Sequence, residues 1–297
     1  MVEEEERDLG VLADDSWKRI QQNTFTRWCN EHLRKVDQRI HDLETDLSDG
    51  LLLIQLVQVL SQKRLPKWNK KPNFVSQKLE NVSLALRFLQ EEEGIRIVNI
   101  DSTDIVDQNL KLILGLIWML ILHYSISIPM WDEEHVSQET PKQRLLKWIQ
   151  SKIPELGITN FTSDWNDGRA VWALVDSIHP GLSPGWRSLR PENALKNAKT
   201  AMDLAENNLG VAKLMEPEEM VNPKVDELSM MTYLSQYPNA HYAPRKPRTP
   251  SPPPPRRANV SGPGVDETRS LRVNEQTHFS LYPADGKEGS VKVFCTY

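Results

Sequence analysis

The sequence predicts an all-α protein built from two related helical domains. Non-polar residues recur at three- and four-residue intervals in both halves, as at Leu84, Leu86, Phe88 and Leu89, a spacing typical of amphipathic helices. Four segments of the first half match four of the second in the same order, 115 to 120 residues apart. Strand-type alternation is largely absent before residue 270. A repeat of this length indicates a duplicated domain rather than a short-repeat array.

The matched segments show where the repeat lies. FTRWCNEHL matches RLLKWIQSKI and aligns Trp28 with Trp148. DLSDGLLLIQLV matches DWNDGRAVWALV, and in both copies an Asp-Gly pair precedes a helix, with Asp49 near the first cap. The other two pairs are ENVSLALRFL with KNAKTAMDLA, and DIVDQNLKLILGLIW with EMVNPKVDELSMMTY.

Composition divides the chain into six segments. They are an acidic N-terminal arm at 1–16, a first helical domain at 17–126, an acidic linker at 127–140, a second helical domain at 141–240, a Pro/Arg-rich hinge at 241–261 and a β-type segment at 262–297. The last segment alternates at Phe279, Leu281, Val291 and Val293. A β-sandwich of the immunoglobulin type needs about 100 residues, so we expect this segment to be an incomplete one.

The bulk properties favour a protein that folds in water. The chain has 297 residues, a formal net charge of -5 and two distant cysteines, which cannot build a disulfide framework or a zinc site. The acidic N-terminus lacks the features of a signal peptide. Leu112–Leu122 is an uninterrupted non-polar run, but eleven residues rise only about 16 Å, roughly half of a bilayer core. We therefore predict a buried core helix and no transmembrane segment.

Sequence motifs for catalysis or metal binding are absent. The seven histidines are scattered, and the chain lacks a P-loop, GxGxxG, HExxH, nucleophile elbow and EF-hand loop. Cys29 falls on a non-polar helix face, where an inert thiol is expected. We therefore expect no enzyme activity and no cofactor.

Several of these segments resemble the filamins. QQNTFTRWCNEHL, TDLSDGLLLI, LENVSLAL and NLKLILGLIW are similar to the tandem calponin-homology pair of that family, and GPGVDETRSLRVNEQTHFSLYPADGKEGSVKVF resembles the start of a filamin-type immunoglobulin repeat. The resemblance implies an all-α module that binds F-actin, in the cytoplasm and at the actin cytoskeleton. It also implies a monomer, because filamins dimerise through their C-terminal end.

The duplication identifies a non-polar stripe peculiar to the first domain. Leu114, Ile117 and Ile121 share a helix face with Leu110, and they align with Ser229, Thr232 and Gln236 of the second domain. Two copies of one fold should bury the same faces, so the stripe is either a surface for F-actin or a contact with the second domain. Both apply if the second domain covers it until the filament binds.

A basic loop supplies a second asymmetry. Residues 16–125 carry a net charge of +2 and residues 126–237 a net charge of -5. The cations of the loop are Lys63, Arg64, Lys67, Lys70 and Lys71. They are either a solvated loop or a surface that steers an acidic partner such as F-actin. Phosphoinositide headgroups are an alternative partner, whereas the acidic pI and the lack of motifs argue against nucleic acid.

The resemblance assigns actin contact to about 21–33, 110–126 and 143–153. In the first of these, Gln21, Gln22, Asn23 and Arg27 either face outward or belong to a largely buried helix, with Trp17 and the preceding arm ordering on the filament. The second includes Leu110 and Lys111. We also hypothesise that Trp118 stacks under Lys142 as an interdomain contact. PPPPRR at 252–257 fits an SH3-type ligand, so the alternative function is a signalling adaptor acting through this ligand and the basic loop.

Overall fold

The computed structural model describes residues 16–127 and 139–244 and two short strands nearer the C-terminus, and its helices follow the predicted repeat. The first domain contains α1 (Ser16–Leu33), α2 (Leu51–Ser61), α3 (Val75–Glu91), α4 (Ser102–Val106), α5 (Leu110–Ile121) and a π-helical turn (Leu122–Ser127). The second contains α6 (Pro141–Lys152), α7 (Arg169–Ile178), α8 (Ala194–Leu209), α9 (Pro217–Met220) and α10 (Glu227–Leu234). Helices α1 to α5 correspond in order to α6 to α10. The prediction of two tandem all-α domains is confirmed.

The same turn positions α2 and α7 in their domains. Gly50 and Gly168 have φ of 77° and 73°, in the left-handed region that favours glycine. Asn81 Nδ2 donates to the carbonyl of Asp49 at 3.1 Å, and Asn197 Nδ2 donates to that of Asp167 at 3.0 Å. These buried amides fix the turn against α3 and α8, and they explain why an asparagine recurs in both matched segments.

Helix α5 is the central helix of the first domain. Ile113, Leu116, Ile117 and Leu120 are fully buried, as predicted for the non-polar run. The continuous helical stretch Leu110–Ser127 is long and non-polar enough to cross a membrane by length and composition alone. Its buried side chains pack instead into the domain core, which is the common alternative for such a helix.

The C-terminal unit is described only at two antiparallel strands, β1 (Ala258–Ser261) and β2 (Ser280–Pro283), in which Val260 pairs with Leu281. The predicted hinge extended to residue 261, so its last four residues form a strand instead. The predicted strand near Val291, the SH3-type ligand at 252–257 and nearly all of the N-terminal arm and interdomain linker lie outside the described residues.

Replacing Gly168 with alanine should destabilise the second domain strongly. A Cβ there would lie 2.5 Å from the backbone nitrogen of Ala198, and its left-handed φ adds strain. We expect a loss of roughly 3 kcal/mol in the free energy of unfolding, measured in urea. Gly157→Ala is the control, because its φ is also positive but no atom lies within 4 Å; it should cost about 1 kcal/mol. Equal losses would contradict the close-approach argument.

Candidate functional site

The first helix lies against the second domain, packing on α10. Gln21 is only 6% exposed, and its Nε2 donates to Asp226 Oδ1 at 2.9 Å. Arg27 Nη2 lies 2.6 Å from Glu216 Oε1, and Nη1 lies 3.8 Å from Glu219. The prediction that Gln21 faces outward is therefore wrong in this structure, and Arg27 is only partly accessible, because second-domain carboxylates bind both side chains.

The junction is completed by a reciprocal contact. The π-helical turn after α5 packs against α6 of the second domain, so the first and last helices of each domain meet the last and first of the other. Trp28 Nε1 donates to Ser125 Oγ at 2.9 Å and fixes the turn to α1 within the first domain. π-helical turns are rare and occur frequently at functional sites.

The polar face of the second domain is buried rather than solvent-exposed. Ser229 and Thr232 are fully buried. Ser229 Oγ donates to Asp226 Oδ2 at 2.8 Å, and Thr232 Oγ1 donates to the carbonyl of Leu228 at 2.7 Å. These hydroxyls thus satisfy their hydrogen bonds within α10 itself, and the helix presents a compact surface to which α1 can pack closely.

The non-polar stripe is enclosed. Leu114, Ile117 and Ile121 are 2%, 0% and 0% exposed, and the main neighbours of α5 are α1, α4 and the π-helical turn, all in the first domain. The expectation that this stripe forms a binding surface is wrong for the closed pair, because the first domain covers it. The accessible residues of α5 are exposed Lys111 and, in part, Leu110, Leu112, Gly115, Trp118 and Met119.

The predicted stack of Trp118 and Lys142 is not formed. Trp118 stacks instead on Phe25 within the first domain, with ring centroids 6.3 Å apart and planes inclined by 12°. Lys142 Nζ pairs with Glu227 Oε1 at 2.7 Å. Lys142 therefore forms its ion pair within the second domain.

The basic loop forms an exposed cationic surface on the first domain. Lys63 pairs with Glu93 at 2.8 Å. The other four cations are exposed and have no carboxylate within 4 Å among the described residues: Arg64, Lys67, Lys70 and Lys71. Unpaired, solvated charges of one sign are free to interact with an acidic partner.

Two non-polar side chains adjoin this loop and were missed by sequence reasoning. Phe74 and Val75, at the start of α3, are 68% and 62% exposed. The signal was available as a non-polar pair directly after Lys70-Lys71-Pro72-Asn73, but helical periodicity alone assigns such residues to the core. Exposed non-polar groups rimmed by charge are common at protein interfaces.

A recess of about 690 Å³ also adjoins the loop, between Arg39, Asp49, Trp68 and Lys70. The equivalent recess of the second domain measures about 400 Å³ and includes Arg169, which lies 3.9 Å from Asp167. Leu51 occupies the position of Arg169 in the first domain. The first domain therefore presents the larger recess, with cations at its rim.

The remaining predicted residues lie near the exposed side of α1. Asn23 is exposed, and Trp17 is half-buried. Gln22 Nε2 donates to Asp42 Oδ1 at 3.2 Å. Asn23 is thus the predicted α1 residue that is freely accessible while the domains are closed.

A narrow crevice of about 300 Å³ lies between the two domains. His32 lines it with Tyr124 from the first domain and Gln236 and Asn239 from the second. The imidazole contacts the Trp28 ring edge-on, with centroids 4.7 Å apart. Burial, reinforced by the charges of Lys35 and Arg34, lowers the pKa of His32 to about 4, so the ring is neutral in the closed pair near pH 7.

Comparison with known families identifies the two helical domains. The family model described as the calponin homology (CH) domain matches residues 19–126 and again 139–243. The chain belongs to the calponin homology family. Its two CH domains are the two five-helix units described above.

The similar proteins include filamins and an α-actinin. The chain is 58% identical to Filamin-A of Drosophila melanogaster over 98% of its length and 54% identical to Filamin-C of Rattus norvegicus over 95%. It is 38% identical to Alpha-actinin-3 of Homo sapiens over 79%. It spans 13%, 10% and 26% of these proteins. The resemblance to the filamins is confirmed.

A solved structure shares the fold. The actin-crosslinking core of Schizosaccharomyces pombe fimbrin superposes with a TM-score of 0.58 at 20% sequence identity, covering 74% of this chain and 50% of that one. At this identity the likeness concerns the fold alone.

Acidification should destabilise the CH pair through His32. The folded pKa of about 4 lies below the ordinary 6.5, so the unfolded chain takes up the proton first as pH falls. Stability is complete above pH 6.5 and decreases towards pH 4, by up to about 3 kcal/mol for this group. Urea unfolding from pH 7 to 4 measures the loss.

His32→Gln provides the comparison for this experiment. The variant should show a flatter acid dependence, because glutamine does not titrate. The depressed pKa values of Asp46 and Asp164 act with the same sign in both proteins and cancel in the difference. Parallel curves for the two proteins would rule out His32 as the source.

Proposed function

We propose that this chain is an actin-filament-binding module, acting mainly through the first CH domain. The observation that carries the proposal is the exposed basic loop, whose cations from Arg64 to Lys71 have no carboxylate partner in the described part of the chain, beside exposed Phe74 and Val75. A cationic surface with a non-polar centre suits an acidic protein surface, because charge steers the encounter and the non-polar contact stabilises the complex. Lys111, Asn23 and Trp17 would extend this surface.

The family relationships support the same partner. The sequence resembles the filamins, and the fold is that of a fimbrin core named for actin crosslinking. Because the chain spans 13% of the Drosophila relative, crosslinking is proposed for a whole protein of this kind and filament binding for this part. The role is structural and non-catalytic, at the actin cytoskeleton in the cytoplasm.

The second domain is proposed to regulate this binding. It holds Gln21 and Arg27, two of the α1 residues proposed to contact actin, through Asp226 and Glu216. A filament that binds these side chains must compete with the second domain, so binding favours separated domains. The closed pair would then be the lower-affinity form.

The alternative is a signalling adaptor that binds phosphoinositide headgroups through the basic loop. The exposed Phe74 beside these cations favours it, since a non-polar side chain next to basic residues suits a membrane surface. The second element of that alternative, the SH3-type ligand at 252–257, stays a prediction. Binding to phosphoinositide vesicles without pelleting on F-actin would select this alternative.

Reversing two charges in the basic loop should weaken filament binding. In the double variant Lys67→Glu and Lys70→Glu, two exposed cations become anions that repel an acidic surface. We expect the Kd for F-actin to rise about tenfold in co-sedimentation, with a weaker salt dependence.

Lys196→Glu with Lys199→Glu supplies a matched control. These lysines are exposed on α8 of the second domain, so the net charge changes equally while the basic loop is intact. The control should bind nearly normally. Equal weakening by both pairs would refute the loop as the binding surface.

Removing a second-domain carboxylate should strengthen filament binding. Glu216 pairs with Arg27 and is largely exposed, so Glu216→Ala removes the shortest of the contacts that hold Arg27 without opening a core, and leaves Glu219 3.8 Å away. We expect the Kd for F-actin to fall about two- to fivefold, as surface ion pairs contribute modestly. Glu218→Ala, an exposed neighbour on α9, removes the same charge and should leave the Kd unchanged. An unchanged Kd for Glu216→Ala would contradict regulation through this contact.

A further inference from the structure

A nearly buried carboxylate joins the basic loop to the domain junction. The Glu93 side chain is 9% exposed, and its Oε1 lies 2.8 Å from Lys63 Nζ, at the start of the loop. Its Oε2 accepts a hydrogen bond from Tyr124 Oη at 2.8 Å. Tyr124 belongs to the π-helical turn that packs against α6 of the second domain. One side chain therefore contacts both the proposed binding loop and the segment that meets the second domain.

The second domain shows that the fold does not require a carboxylate here. The backbone nitrogen of Ile95 donates to Leu89 in the first domain, as that of Val211 donates to Ala205 in the second. The intervening Gly94 and Gly210 both have positive φ, 66° and 70°. Glu93 is thus equivalent to Leu209, a buried leucine that is 3% exposed.

Burying a carboxylate costs free energy unless it is paired, whereas a leucine at this position stabilises the fold. The tyrosine is also missing from the second domain, where the residue equivalent to Tyr124 is the exposed Asn239. A carboxylate that is costly to bury and occurs with its tyrosine partner in one copy alone indicates a role beyond core packing.

We propose that Glu93 is a positioning residue that links the basic loop to the closure of the two domains. Its Oε1 has no directed hydrogen bond among the described residues, so the Lys63 ammonium is its charge partner. Burial and the Glu93 hydrogen bond raise the pKa of Tyr124, which keeps the phenol protonated as the donor.

The contacts of Glu93 determine the sign of the coupling between the loop and the domain junction. When an anionic partner draws Lys63 away, Glu93 remains nearly buried without its counter-charge and must take up water. Hydration weakens its contact with Tyr124, and the π-helical turn then holds α6 less firmly. Engagement of the loop and separation of the domains therefore favour each other, and the effect is reciprocal. Its use in filament binding rests on the proposed function, whereas the link itself does not.

A double-mutant cycle read by hydrogen exchange tests the link without actin. The full chain is compared with Lys63→Met, Glu93→Leu and the double variant, following the amides of 122–127 and of α6. In the wild-type background, Lys63→Met should accelerate their exchange about fivefold. In the Glu93→Leu background the same substitution should change nothing, because the link is already broken. Lys67→Met, in the same loop, should have no effect in either background.

Two results would overturn the proposal: no acceleration by Lys63→Met, or equal acceleration in both backgrounds, which would indicate a local effect of the loop alone. If Glu93→Leu loses its helical circular dichroism, Glu93→Gln replaces it in the cycle, since the amide oxygen still accepts from Tyr124 while the charge is lost. A failure of actin co-sedimentation with a positive cycle would reject the proposed function and leave the link standing.

Discussion

The packing of α1 against α10 determines how much of the first domain is accessible. Helix α1 contributes Phe25, Trp28 and Cys29 to the core of its own domain. Two of its other side chains, Gln21 and Arg27, are held by Asp226 and Glu216 of the second domain. A helix that packs in its own domain and also binds the second domain has little surface left for a partner. In the closed pair the basic loop and part of α5 are accessible, whereas access to Gln21 and Arg27 depends on the position of the second domain.

The duplication explains why the two domains are similar, and the positions at which the copies differ explain their different surfaces. Each copy has the Asp-Gly turn, because any side chain at the glycine would collide with the next helix. Each copy also has a bridging asparagine, Asn81 or Asn197, that donates to the carbonyl of the turn. Positions free of that constraint have diverged. Leu51 corresponds to Arg169, and Glu93 corresponds to Leu209. The first copy therefore has a nearly buried carboxylate that contacts both the basic loop and the junction, where the second copy has a buried leucine.

The helices, their order and the buried run were predictable from the sequence, because periodicity and the internal repeat are local signals. The direction in which α1 faces was not. Gln21 and Gln22 are identical neighbours, yet Gln21 is buried against Asp226, 205 residues away, and Gln22 bonds to Asp42 at the surface. Aligning Leu114 with Ser229 showed correctly that the copies differ. Both residues are nevertheless buried, and α10 packs against α1 of the other domain. No pattern within one helix reveals such a long-range partner.

The hydroxyl-lined face of α10 has a consequence for what happens after the domains part. Ser229 and Thr232 bond within α10 and its N-cap, so their hydroxyls keep these hydrogen bonds when α1 withdraws, while Gln21 and Asp226 exchange theirs for bonds to water. Water can wet this face directly. The hydroxyls of α10 therefore need no new partner when the domains separate, so the helix can pack against α1 again without rearranging its own hydrogen bonds.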